Sequence, residues 1–256
     1  MRKVRLEMRP VWPREVETLV GDAPLFDSSC GEGARVYYAE KGLYVKEAAP
    51  GALQHEANMG RVFWEKGLGP EVILYLSGTK DYMVTREVPG QDLTHFLEEP
   101  LLLCREMGEK LRKLHAITGQ GLPAAPTYAL YDQALARGVN PKNFQKYVLL
   151  DSFAIASPET AFALARQGRD ALSRDTLIHG DACLPNFMME KGRITSFIDF
   201  AASGAGDRHI DLFWAVWSLA FNLKTEKYTA AFLDAYGRDG VEMEKVRMVA
   251  AMEALG

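Results

Sequence analysis

The chain predicts an α+β protein of two lobes, a β-rich N-terminal lobe with one main helix over residues 1–90 and a larger, mainly helical C-terminal lobe over residues 91–256. Three observations predict it. Strand-like runs and turn residues crowd the first 90 residues, helical periodicity dominates after Pro89-Gly90, and no repeat, low-complexity tract or long linker intervenes. Strands in succession followed by helices in succession is the α+β pattern, and 256 residues are enough to bury a large core.

The elements follow in order. "ARVYYAE" and "GLYVKEA" are β-rich runs joined by a turn at Lys41-Gly42, a hairpin signal. "GALQHEANMGRVFWEKG" places Leu53, Ala57, Met59, Val62 and Phe63 near helical spacing, with a stop at Gly67. "EVILYLSGTKDYMVTREVPG" supplies two more strands around a Gly-Thr turn. Beyond it, "PLLLCREMGEKLRKLHAIT" is an amphipathic helix with Leu103, Met107, Leu111 and Leu114 on one stripe. Residues 127–173 are expected to be mostly helical with a break at Asn140-Pro141, and "DLFWAVWSLAFNL", "KYTAAFLDAYG" and Val241 to Leu255 are further helices.

Composition removes several function classes. At 48% hydrophobic and 25% charged the chain is ordinary for a globular protein, and a net charge of −4 opposes nucleic-acid binding by bulk electrostatics. Cys30, Cys104 and Cys183 show no CxxC pairing, so neither a zinc site nor a disulfide framework is expected and a reducing compartment is. The stretch MRKVRLEMRPVWPREVE is basic without an apolar core or cleavage site, and the apolar run Phe213 to Phe221 is too short to span a bilayer. A cytoplasmic protein with no membrane partner is expected.

Phosphoryl transfer needs a cover for the phosphates, a cation on them, metal ligands, and a group that positions the nucleophile. In "HGDACLPN", Asp181 and Asn186 have the D-x-x-x-x-N spacing of a kinase catalytic loop. Asp181 would orient or accept the proton of the acceptor hydroxyl. Asn186 would offer a neutral oxygen to Mg²⁺, a cation that prefers oxygen, and Asp199, at the end of the run Phe197-Ile198, a second one. An isolated Asp-x₄-Asn is more often turn chemistry, and His179 is read as a structural histidine; the ordered set is what points to a site. In "SSCGEGARVYY", Ser29, Gly31 and Gly33 form a turn suited to backbone contact with phosphates, but the pattern is neither G-x-G-x-x-G nor a P-loop. "LYVKEA" sets Lys46 in an apolar strand, where lysine needs a partner, and Glu56 at the start of the next helix is the available one.

The set "LYVK", "HE" at a helix start, "REVPG", "HGDACLPN", "IDF" and "GAGDRHIDL" resembles the aminoglycoside phosphotransferase family, whose members share the protein-kinase-like fold. The 3′-phosphotransferase branch has the most similar layout, through "HGDxxxxN" and "GxIxxFIDxxxxGxxDxxxD". The resemblance implies ATP or GTP with Mg²⁺ as cofactors. It implies Lys46 on the α/β-phosphates, Glu56 as its ion-pair partner, and a hinge over Arg86 to Val88 that offers backbone groups to the base. Asp181 would be the catalytic base, Asn186 and Asp199 the metal ligands, and Asp211 a structural acid bracing the catalytic loop. Asp207 and Arg208 would touch substrate or cap the following helix, with capping favoured because Asp is a common N-cap.

The implied acceptor is a polycationic aminoglycoside, whose phosphorylation confers antibiotic resistance, bound by a monomer or weak dimer. Such a site should be acid-rich. Yet residues 121–175 carry five acids, Asp151 among them, against six bases, and the C-terminus "AAMEALG" keeps only Glu253 and the chain-end carboxylate. Asp151, Arg208 and Glu253 are the candidate substrate contacts. Kinases for choline, fructosamine, homoserine or macrolides on the same fold, and a nucleotide-binding pseudokinase, are the alternatives; a complete Lys46, Asp181, Asn186 and Asp199 set argues against the last.

Overall fold

The structure is a computed structural model that describes residues 4–31 and 33–256. Met1 to Lys3 of the basic N-terminal stretch and Glu32 of the glycine turn lie outside the described residues. The chain divides into two compact units. The first comprises residues up to Gln91 with Met188–Glu190 and Thr195–Ala201, and the second comprises Asp92–Phe187, Lys191–Ile194 and Ala202–Gly256. The first unit thus takes in two short pieces of chain far beyond residue 90, where the sequence places the lobe boundary.

In the first unit, strands β1 (Val4–Arg5), β2 (Leu25–Asp27), β3 (Ala34–Ala39), β4 (Leu43–Ala48), β5 (Val72–Ser77) and β6 (Asp81–Arg86) form an antiparallel sheet in the order β1-β2-β3-β4-β6-β5. The expected hairpin is β3–β4, turned by Gly42 at φ 78°, a left-handed value that glycine adopts without penalty. Side chains alternate across a strand, so β4 serves two layers. Leu43 and Val45 are buried with Trp12, Val16 and Val20, the last two from helix α1 (Arg14–Val20), an element not apparent from the sequence. Ala48 is buried on a second cluster with Met83 and with Leu53 and Ala57 of the segment that forms helix α2 (Gln54–Glu65). Lys46 stands directly between Val36 and Met83 of the flanking strands.

A two-residue strand β7 (Gln91–Asp92) leads to helices α3 (Pro100–His115), α4 (Thr127–Arg137) and α5 (Pro158–Ala171) of the second unit. The expected stripe of Leu103, Met107, Leu111 and Leu114 on α3 is fully buried. Gly108 of α3 permits close approach to Tyr236, since a Cβ there would lie 2.6 Å from the Tyr236 nitrogen. Strand β8 (Thr176–Ile178) precedes the segment HGDACLPN. After it come the hairpin β9 (Phe187–Glu190) and β10 (Arg193–Phe197), strand β11 (Gly204–Gly206), and helices α6 (Arg208–Leu223), α7 (Thr229–Tyr236) and α8 (Met243–Ala254). β11 pairs antiparallel with β8, Ala205 opposite Leu177, a contact too short for its sequence signal to be seen.

The helical expectation over 127–173 is corrected between α4 and α5. Gly138, at φ 73°, ends α4, and the chain runs through three 3₁₀ turns, 141–143, 146–148 and 151–153, before Ser157 caps α5 by accepting from Thr160 N at 3.2 Å. The last helix also begins at Met243, two residues later than expected. No helix among the described residues is long and apolar enough to cross a membrane.

The late pieces of the first unit are there for their aromatic rings. Phe197 and Phe200 pack on Phe63 of α2, with ring centroids 5.9 and 4.4 Å away. Phe197 N donates to Leu68 O at 2.8 Å. A Cβ on Gly69 would lie 2.7 Å from the Phe200 ring, so the glycine makes room for it. Burial of each large apolar side chain of this kind stabilises by about 1.5–3 kcal/mol.

Candidate active site

In the first unit, Lys46 Nζ donates to both oxygens of Glu56, at 2.9 and 2.7 Å, and approaches Asp199 Oδ1 at 3.4 Å. Burial works against the ammonium, but the carboxylates of Glu56 and Asp199 outweigh it and hold the Lys46 pKa above its ordinary value. Glu56 is buried while the Asp199 side chain is half exposed. The ion pair read from sequence is therefore present, and Asp199 is brought to it by the turn that follows β10. Asp199 has φ 64°, a conformation that aspartate tolerates better than most residues.

The glycine turn lies before β3. Ser29 is committed to the turn itself, its N–H donating to Asp27 Oδ1 at 2.8 Å and its Oγ accepting from Val36 N at 2.9 Å. A Cβ added at Gly31 or Gly33 would meet nothing within 4 Å, so packing does not require glycine at either position. In the expected hinge, Arg86 pairs its side chain with Glu71 at 2.9 Å and gives its N–H to Glu71 O at 3.0 Å. Glu87 N donates to Gly42 O, and Glu87 and Val88 both lie beyond the end of β6.

In the second unit, the segment from His179 to Asn186 is held from several sides. Asp211 of α6, fully buried, accepts from His179 N at 2.8 Å and Gly180 N at 2.7 Å, and pairs with His115 Nε2 at 3.0 Å. His115 Nδ1 lies 2.8 Å from the Tyr236 hydroxyl. His179 is buried, and its Nδ1 accepts from Asp181 N at 3.3 Å, a structural place as expected. Gly180, at φ 83°, passes so close to Ala202 that a Cβ would lie 2.1 Å from its carbonyl oxygen. Asn186 Nδ2 donates to the Asp181 backbone oxygen and to Asp181 Oδ2, both at 2.9 Å. The amide nitrogen is thereby used on Asp181, and the amide oxygen is the atom left for a ligand. Ser218 of α6 completes the frame by accepting from Leu184 N at 2.9 Å.

Asp181 lines a cavity of about 290 Å³ together with Glu253, Tyr131, Trp214, Arg137 and Gly256. Of the three candidate substrate contacts, Glu253 alone is among its lining residues; its Oε1 accepts from the Tyr131 hydroxyl at 2.6 Å. Asp151 is exposed in a 3₁₀ turn, where its N–H donates to Glu226. Arg208 opens α6, its guanidinium near Gly240. Neither lines the cavity. Asp207 is the N-cap of α6, accepting from His209 N at 2.9 Å and from Ser173 N at 2.9 Å, which bears out the capping preference. Burial would raise its carboxyl, but His209 and these N–H donors pull it down to about 2. Burial pushes the Cys183 thiol well above its ordinary value, in keeping with a packing residue.

Burial pushes the Glu253 carboxyl up to about 7, against the hydrogen bonds from Tyr131 and Trp214 and with a further push from Asp181. An acid raised on folding adds stability that is full below its unfolded pKa and is lost as pH rises through its folded pKa. For Glu253 that window runs from the ordinary glutamate range up to about 7. Glu253→Gln is expected to flatten the fall of melting temperature across this window. A fall as steep as in the parent protein would show that Glu253 is ionised throughout.

The donors read as metal ligands are all oxygens, the choice of a hard cation. No group of three or more His, Cys, Asp or Glu able to hold a metal occurs among the described residues. Magnesium in a kinase needs none, because one or two protein oxygens and the substrate phosphates and waters complete its shell. Taken one by one, the Asn186 amide oxygen, left over by the bonds to Asp181, and the half-exposed Asp199 carboxylate are donors of the kind such a cation takes.

A model of the phosphotransferase enzyme family matches residues 30–249. A probable aminoglycoside 3′-phosphotransferase of Lactococcus lactis subsp. lactis (strain IL1403) is 32% identical, over 100% of this chain and 99% of the relative. An aminoglycoside 3′-phosphotransferase of Niallia circulans is 24% identical, over 92% and 94% respectively. Among solved structures, an aminoglycoside-3′-phosphotransferase of type VIII aligns with a TM-score of 0.70 at 27% identity, covering 90% of this chain and 91% of that one. An aminoglycoside phosphotransferase from Streptomyces rimosus ATCC10970, in complex with ADP and streptomycin, aligns at 0.71 with 20% identity, over 94% and 95%, and shares the fold. The expected protein-kinase-like α+β fold stands.

Proposed function

This chain belongs to the phosphotransferase enzyme family, and from that premise we propose that it moves the γ-phosphoryl group of ATP to the 3′-hydroxyl of an aminoglycoside, conferring resistance. The observation that carries the reading is the cavity in which Asp181, fixed by Asn186, shares one wall system with the partly buried acid Glu253. An amine-bearing acceptor finds there both a proton acceptor for its hydroxyl and a carboxyl for its ammonium. The names of the full-length relatives support the same acceptor class.

In the mechanism, Asp181 orients the acceptor hydroxyl and takes its proton as the oxygen attacks the γ-phosphorus in line, while the bond from that phosphorus to the β,γ-bridging oxygen breaks and ADP leaves. Catalysis comes mostly from positioning and electrostatics. Lys46, held by Glu56, offsets charge on the α/β-phosphates. The open space beside Gly31 and Gly33 lets phosphates approach the backbone of the turn, and the backbone at Val88 is offered to the base. Asn186 and Asp199 would hold Mg²⁺, which when bound neutralises charge on the nucleotide phosphates. The acidic Asp151 and the basic Arg208 remain proposed contacts only for parts of a substrate outside the cavity. The protein is proposed to work in the cytoplasm, where ATP is supplied, as a monomer or weak dimer.

The deciding experiment is ATP turnover with Mg²⁺ against kanamycin, its 3′-deoxy analogue, streptomycin, choline, homoserine, a macrolide and simple sugars. Turnover of kanamycin alone supports the reading. Turnover of the 3′-deoxy analogue would overturn the regiochemistry, and turnover of choline or homoserine would overturn the acceptor class. Nucleotide binding with no turnover of any acceptor would favour a pseudokinase. Asp199→Ala is expected to weaken Mg²⁺–ADP binding at least about tenfold, the scale of losing one charged ligand contact. Calorimetry showing unchanged affinity would remove Asp199 from the metal.

A further inference from the structure

We propose that Asp81 is a positioning residue for the nucleotide site: its carboxylate holds the start of α2, and through α2 it sets Glu56 against Lys46. The inference rests on the reading of Lys46 and Glu56 as the phosphate-binding pair.

Helix α2 begins without help from its own sequence. Its N-cap is Leu53, which has no side chain able to accept a hydrogen bond, although the first N–H groups of a helix need acceptors. The acceptor comes from strand β6. Asp81 Oδ2 takes Leu53 N at 2.9 Å, and Oδ1 takes Gly51 N at 2.9 Å. The same two oxygens accept from Ser77 Oγ at 2.6 Å and Tyr75 hydroxyl at 3.0 Å, from the strand that precedes the turn. Asp81 is fully buried, with four donors around one carboxylate. A negative charge at a helix N-terminus is also favoured by the helix dipole.

The arrangement reaches both members of the ion pair. Glu56 lies in the first turn of α2, three residues after Leu53, so a shift of that turn moves Glu56 with it. Asp81 is also paired with Ala48 at the end of β4, two residues from Lys46. One carboxylate therefore registers the helix that carries the acid against the strand that carries the base. Packing at this corner comes from Ala48, Leu53, Ala57 and Met83, with Ala34, Val72 and Tyr75 against them, and apolar contact is non-directional where hydrogen bonds are not. A buried carboxylate held by two backbone N–H groups and two hydroxyls demands fixed geometry, because loss of any one donor leaves part of its charge uncompensated.

The test is Asp81→Asn, which turns one acceptor oxygen into an amide facing N–H donors at nearly unchanged volume. Mg²⁺–ADP affinity, read by calorimetry, is expected to fall about tenfold while the acceptor KM stays within about twofold, the split that separates a nucleotide-site effect from general loss of structure. In a cycle with Glu56→Gln, Asp81→Asn is expected to add less than about twofold to the loss already caused at Glu56, as for residues acting through one another. A full, multiplicative loss in the Glu56→Gln background, or wild-type affinity in Asp81→Asn, overturns the proposal. If Asp81→Asn does not fold, Ser77→Ala with Tyr75→Phe removes two of the four donors and carries the same cycle, with unchanged nucleotide affinity again overturning it. A parent protein that binds no Mg²⁺–ADP would instead sink the reading of Lys46 and Glu56, so the two failures are distinct.

Discussion

Asp181→Asn is expected to lower kcat by about 10³-fold, within the 10²–10⁴ range that a positioned general base contributes, while nucleotide affinity changes little. The separation follows from where Asp181 sits. Its carboxylate lines the cavity proposed for the acceptor and is held by Asn186, and every residue proposed to touch the phosphates through side chains lies elsewhere in the chain. Asparagine keeps the size of the side chain and can still accept one hydrogen bond, so the loop geometry survives and the proton acceptor does not. The measurement is steady-state turnover together with Mg²⁺–ADP calorimetry on the same preparation. Near-normal turnover would remove Asp181 from the chemistry; lost nucleotide binding would mean that the substitution acts on structure.

Asp211→Ala is expected to be the most damaging single change to stability, by about 3–5 kcal/mol, the scale for breaking a buried hydrogen-bonded charge network. The carboxylate accepts from two consecutive backbone N–H groups and from His115, and all of them are buried. Alanine leaves three donors without an acceptor where water does not enter. Those two N–H groups belong to His179 and Gly180, the residues just before Asp181, so whatever protein remains folded should also have a displaced base. Urea denaturation reads the first effect and kcat of the folded fraction reads the second. A loss below about 1 kcal/mol, the ordinary value of one neutral hydrogen bond, would show that Asp211 is not the brace.

The parts of the protein that were legible in advance are those where one residue type is dictated by local chemistry. Lys46 in an apolar strand demanded a nearby acid, and Glu56 is 2.7 Å away. The Asp181 and Asn186 spacing promised a single loop, and the two side chains bond to one another. Helix α3 announced its buried stripe through periodicity. What stayed hidden depends on partners distant in the chain. Asp81 reads as an ordinary turn aspartate after Gly-Thr-Lys, and only the fold brings Gly51 and Leu53 to it. The cap of α2 was invisible for the same reason, since Leu53 carries no capping signal. Between 138 and 157 the composition is helix-compatible, and the local choices of Gly138, Asn140 and Ser157 prevail instead. Asp151 belongs to the segment 121–175 whose charges were counted, and a count along the chain does not say which side chain borders a cavity. Glu253 and Tyr131 meet across 122 positions.

The hairpin that lends Met188–Glu190 and Thr195–Ala201 to the first unit has a consequence for how such proteins can be recombined. A cut at residue 91 looks like a natural joint for exchanging lobes between relatives or for producing one lobe alone. It would leave Phe63 without Phe197 and Phe200, and Leu68 without the N–H of Phe197. A chimera joined at residue 91 inherits those rings from the wrong parent, so the aromatic triplet must be matched by hand. The nucleotide half is in this sense not a cassette. It is written in three places along the gene, and its inheritance is tied to that of the proposed catalytic loop that the hairpin follows.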